Sequence, residues 1–190
     1  MKDFYSNRLQ LESPLFYNAD FGIRFEIGNP DPSVSDEAYE EQVHHRALAL
    51  FKDVHQADDD ILIVVNVYLL RKGIKPVRRK VFDHSFRNPQ VLRSLNCVSI
   101  HKADDEEDEG WESYQYVLQC KASDLKHHKI LFNPHQMFII NRTRHTIFYF
   151  YDNRGLDIVS HSRDALQELY LKRNDWILNY DRESIDAIFK

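Results

Sequence analysis

Apolar and polar residues alternate through "FGIRFEIG". Phe21, Ile23, Phe25 and Ile27 are interleaved with Gly22, Arg24 and Glu26, the period-two pattern of a strand with one buried face. The prolines of "NPDPSVSD" end that strand. Ser33 and Asp36 have the spacing of a capping box, and Ser35 is an equally good cap, so a helix follows. In "DEAYEEQVHHRALALFKDVH" the residues Tyr39, Val43, Ala47, Leu50 and Val54 recur at three- and four-residue steps, opposite Glu40, Glu41, His44 and Lys52. "DILIVVNVYLL" is apolar at nearly every position and rich in β-branched residues, as a central strand covered on both faces should be, and its Asn66 needs hydrogen-bond partners if buried.

The basic stretch that follows predicts loop with short helical turns around Val77 to His84 and Pro89 to Leu95. "CVSIH" and "ESYQYVLQCK" read as paired strands on either side of the acidic loop "ADDEEDEGW". "QMFIIN", "TIFYFYD" and "LDIVS" follow at hairpin spacing as a three-strand meander. Two helices close the sequence. Ser162 is placed to cap "RDALQELYLKRN", and Asp181 to cap "RESIDAIFK". Most connections are too short for crossovers, which predicts a mainly antiparallel sheet of six or seven strands with helices packed on it. The class is α+β, in a single domain spanning residues 1–190, with room for one early parallel crossover.

Composition narrows the functional classes. The 190 residues are 43% hydrophobic and 29% charged, with 10 Tyr, 12 Phe and 5 Gly. The aromatic load suits sheets. A formal net charge of −5 disfavours non-specific binding to nucleic acid or anionic lipid. The opening residues lack the apolar stretch of a signal peptide, and no apolar run approaches a membrane span, so the expected location is cytoplasmic, with no membrane partner. Cys97 and Cys120 are then expected as small apolar side chains in strands, not as a disulfide.

Candidate chemistry concentrates in "YDNRGLD". Asp152 and Gly155 fit the first and fourth places of a type I hairpin turn, which explains the motif as a bend. A carboxylate and a guanidinium beside a bend are also how binding pockets begin, which makes Asp152, Arg154 and Asp157 candidate binding residues, joined by Asn174, Asp175 and Trp176 if "NDWILNYD" folds back beside the bend. Trp176 is otherwise expected to anchor the closing helices in the core. The ten histidines show no i, i+4 pair on a helix face, the cysteines have no nearby ligand partner, and there is no GxSxG elbow or glycine-rich phosphate loop. No metal, cofactor or catalytic residue is therefore assigned. Two charged tracts remain. One is basic, from Arg71 to Lys80; the other is acidic, formed by Asp104, Asp105, Glu106, Glu107, Asp108 and Glu109, and would dock a basic partner surface.

Four stretches, "PLFYNADFGIRFEIG", "YEEQVHHRALALFKDVHQADDDILIVVN", "TIFYFYDNRGLDIVS" and "NDWILNYDRESIDAIFK", resemble a Bacillus-type bacterial family known as domain of unknown function 3885. The resemblance supports the one-domain reading and implies no reaction. The leading expectation is a cytoplasmic, non-enzymatic domain that binds another protein, by analogy an immunity-type neutraliser of a toxin. The alternative is a small-molecule-binding or hydrolytic domain with a pocket near Asp152 to Asp157. Nucleic-acid binding through Arg71 to Lys80 is disfavoured by net charge.

Overall fold

The fold is given by a computed structural model, which describes residues 11, 13–69, 81–82, 85–100, 112–132 and 135–190. The basic tract from Arg71 to Lys80 and the acidic run from Asp104 to Glu109 lie outside the described residues. The chain divides into two compact units, Met1–Val54 with Arg144–Lys190, and His55–Thr143. Seven strands, antiparallel in every described pairing, and several helices make the protein α+β.

The first unit contains β1 (Phe21–Glu26), α1 (Asp36–Val54), β6 (Thr146–Phe150), β7 (Gly155–Ser160), α3 (Asp164–Lys172) and α4 (Arg182–Phe189). Strand β7 pairs with β1 on one side, from Phe21↔Ser160 to Glu26↔Gly155, and with β6 on the other, from Thr146↔Ser160 to Phe150↔Leu156. The predicted stripe of α1 is the face it buries. Val43, Ala47, Leu50, Phe51 and Val54 are inaccessible or nearly so, and the Phe51 ring meets Phe148 edge-on at 5.6 Å between centroids. Ser35 is the cap, accepting the Ala38 amide, while Asp31 takes up Ser33. The other two caps differ from expectation. Arg163, not Ser162, precedes α3, and Asp181 precedes α4 with its carboxylate turned away from the helix.

Strand β1 also departs from the one-faced pattern, because Gly22 and Arg24 are buried together with Ile23 and Phe25. Its second face is covered by a 3-10 turn at Phe16–Asn18 and by the closing segment, where Ile177 bridges Phe25 and the Leu178 amide donates to the Arg24 carbonyl at 2.9 Å. Alternation finds a strand but not what lies over its polar side.

The second unit has strand order β5-β2-β4-β3, with β2 (Asp60–Leu69), β3 (Asn96–Ile100), β4 (Glu112–Lys121) and β5 (Gln136–Asn141). Strand β2 is buried almost continuously from Ile61 to Val67, as its apolar run requires. Asn66 is satisfied across both neighbours, accepting from Gln115 at 3.2 Å and donating to Gln136 at 3.1 Å. A short helix, α2 (His127–Leu131), follows β4, and Asn88 caps the 3-10 turn at Pro89–Ser94.

Candidate functional site

The candidate site lies wholly within the first unit. The β6–β7 bend at 151–154 is held by the Asp152 carboxylate, which accepts the Arg154 amide at 2.8 Å and the Arg154 guanidinium at 2.9 and 2.5 Å. These side-chain bonds stand in for the turn bond read from the sequence. Burial alone would raise the Asp152 carboxyl, and the hydrogen bonds from Arg154 reverse that and hold it below the usual carboxylate range. Gly155 serves close approach here. A Cβ there would collide with the Tyr151 ring and stand 2.9 Å from the Phe25 carbonyl. Gly28 is constrained in the same way by Tyr39, whose hydroxyl donates to the Asn153 carbonyl at 3.0 Å.

Beside this bend Arg24 is caged. Its Nε donates to Asp157 Oδ1 at 2.9 Å, Nη2 to Asp157 Oδ2 at 3.3 Å, and Nη1 to Asp181 Oδ2 at 3.4 Å. The rings of Tyr17, Phe16 and Tyr151 have centroids 4.7, 5.1 and 5.7 Å from the guanidinium carbon. Tyr17 donates its hydroxyl to Asp181 Oδ1 at 2.9 Å, and the Phe16 amide donates to Asp157 Oδ2 at 3.0 Å. Asp157 has no solvent exposure, and burial pushes its carboxyl up against the pull of Arg24. Burial disfavours the Arg24 charge too, but the Asp157 hydrogen bond together with the charges of Asp157, Tyr151 and Asp181 outweighs it, and Arg24 stays protonated. A one-partner deletion from so dry a group is expensive, because it strands a charge.

A cleft of about 820 Å³ opens over this cluster, lined by Arg24, Glu26, Tyr39, Tyr149, Tyr151, Asp152, Arg154 and Leu178 among others. Leu178 brings the closing segment beside the bend, the condition on which a pocket there depended. Of the residues picked from sequence, Asp152 and Arg154 line the cleft, while Asp157 lies beneath it as the arginine's counter-ion. Asn174 is engaged by Arg182. It accepts Arg182 Nη1 on its side chain at 3.1 Å and Nη2 on its carbonyl at 2.9 Å. Asp175 is exposed.

Trp176 is a correction. It is only half-buried, in a 3-10 turn after α3, and packs between the guanidinium groups of Arg173 and Arg46, 4.3 and 5.3 Å from its ring centroid, with His45 at its edge. The turn leaves the indole against the side of α1, outside the core. The residues missed from sequence are Arg24, Glu26, Tyr39, Tyr151 and Asp181. Arg24 and Glu26 were taken for a solvent face and Asp181 for a cap. The one local signal was a guanidinium in the middle of a largely apolar strand.

Among the described residues no group of three His, Cys, Asp or Glu side chains could hold a metal ion, and no helix is long and apolar enough to cross a membrane. Both cysteines are free. The buried Cys120 thiol is pushed up to about 12, by burial first and by Asp124 second.

The chain is similar to an uncharacterised protein of Bacillus subtilis strain 168, YnaE, at 25% identity over 163 residues, covering 73% of this chain and 74% of that one. No solved structure matches. The family model for a domain of unknown function, DUF3885, matches residues 1–181, from before the aromatic turn to the Asp181 carboxylate that closes the cage, and the protein belongs to that family.

Proposed function

We propose that the protein is a non-enzymatic recognition domain that binds another protein and seats a segment of it in the cleft over Arg24. The observation that carries this reading is how the arginines around the cleft and their aspartates are engaged with one another. Arg24 is held by Asp157 and Asp181, and Arg154 by Asp152. General acid–base chemistry needs a group able to exchange a proton with substrate, and ion pairs this close keep their protons in place. They do give the cleft a rigid, shaped floor, which suits recognition. The net charge of −5 supports a basic partner. By analogy with bacterial immunity proteins of similar size and acidity, that partner is a toxin, and a toxin gene beside this one would favour the reading.

The test is co-purification from the native organism with tagged wild type, Tyr151→Ala and Arg154→Glu. The reading expects a partner on the wild type that both variants lose. A partner retained by both variants, or recovery of a small molecule with no protein, would overturn it. A second reading, a small-molecule site, is favoured by the cleft volume, which falls in the range of roughly 300–1,000 Å³ typical of ligand pockets. It predicts a ligand-induced rise in melting temperature that Tyr151→Ala abolishes.

A further inference from the structure

We infer that the cleft takes the cationic head of a lysine or arginine side chain presented by the partner protein, with Glu26 as its counter-ion and tyrosine rings as its walls. This inference rests on the protein-recognition reading above.

The charge balance points to a cation. Around the cleft, Arg24 and Arg154 face Glu26, Asp152, Asp157 and Asp181, and with Arg46 beside Glu26 the balance is three positive groups against four carboxylates. Three of the four are engaged by Arg24 and Arg154. The Glu26 carboxylate makes no hydrogen bond or ion pair among the described residues. Arg46 feels its charge but donates Nη1 to the Glu26 backbone carbonyl, at 2.8 Å. Glu26 ends β1 half-buried on the cleft wall, where an incoming cation would be partly desolvated and the attraction correspondingly stronger than in open water.

The walls fit the same ligand. Tyr39, Tyr149 and Tyr151 line the cleft, with the Tyr149 and Tyr151 rings 5.8 Å apart and tilted by 50°. Aromatic faces carry negative charge density that attracts guanidinium and ammonium groups. The fold already holds one guanidinium by this combination, since Arg24 lies among Tyr17, Phe16 and Tyr151 with two carboxylates. An anionic ligand would find Arg24 committed to two aspartates and Arg154 holding Asp152 through Nε and Nη2.

The probe is the peptide acetyl-Gly-Arg-Gly-amide, titrated into the full chain by NMR beside the same peptide with citrulline, a neutral isostere of arginine. The expected result is arginine-peptide binding at least roughly tenfold tighter than citrulline-peptide binding, the size of a partly desolvated cation–π contact with an ion pair. Glu26→Gln, checked for an unchanged melting temperature, should reduce the arginine peptide to the citrulline level. Equal affinities for the two peptides, or an unaffected Glu26→Gln, would overturn the inference. A native partner that Glu26→Gln still captures would overturn it while leaving protein recognition standing. Putrescine binding as tightly as the arginine peptide would keep the cation site but remove the protein-recognition reading.

Discussion

Arg24 is the side chain whose loss the molecule should feel most. Replacing it with methionine leaves Asp157 and Asp181 buried without their cation, at a cost of about 3–5 kcal/mol. Urea unfolding should show that loss, and Arg24→Met combined with Asp157→Asn and Asp181→Asn should recover much of it, because the stranded charges go with their partner. A single variant as stable as wild type would contradict the cage. The cysteines offer a second check at this scale. Buried Cys120, with its thiol held up at about 12, should resist iodoacetamide in the native protein, whereas half-exposed Cys97 should be alkylated. Mass spectrometry of the labelled sites decides it. Little of this was legible from neighbours in the sequence. Arg24 finds its carboxylates 133 and 157 residues away, and no local periodicity encodes pairs at that separation.

Helices and strands were far more legible, because their signals are short-range. The stripe on α1 named its buried face, and the continuous apolar run of β2 named a strand covered on both sides. Caps were read less well. Asp181 stands where a cap should, yet an arginine and a tyrosine hydroxyl compete for its oxygens and win. Docking of α1 and α3 depends on Asp53, which accepts Arg173 Nε at 2.6 Å and Lys172 Nζ at 2.8 Å. Burial would raise this carboxyl, but the two cations outweigh burial and hold it below the ordinary range. Its folded value is therefore below the unfolded one, so its contribution is present above about pH 4 and is lost as pH falls through the folded value. With Lys172 half in solvent, the contribution is about 1 kcal/mol. Asp53→Asn should be less stable than wild type at pH 7 and converge with it in acid, as pH falls through the lowered folded value; a constant gap in acid would refute the pairing. Trp176→Ala should cost only about 1–2 kcal/mol in the same urea assay, less than a core tryptophan, since the ring is lost from a stack of two arginines.

For the molecule as a whole, the acidic balance makes a prediction about the proposed partner. If a basic surface is recognised, neutralising Asp104 to Glu109 should slow association at low salt. The difference should close near 1 M salt, where screening acts within about 3 Å. Stopped-flow or surface-binding kinetics would show it, and an on-rate indifferent to both changes would exclude steering by that run. Fold class was readable at this scale from the count of strands and their short connections. The cleft was not, because it is made where β1, the 151–154 bend and the closing segment meet, and each of those stretches has a sufficient local explanation of its own.

The reach of the arginine cage also bears on synthesis of the chain. A ribosome makes residue 24 early, but the second carboxylate that balances it arrives only with residue 181. A chain cut between residues 157 and 178 keeps only one of the two carboxylates around Arg24, and its first strand lacks the hydrogen bond that Leu178 supplies. Closure of this unit therefore needs the segment up to residue 181, and products shortened before it should unfold at lower urea than the full chain.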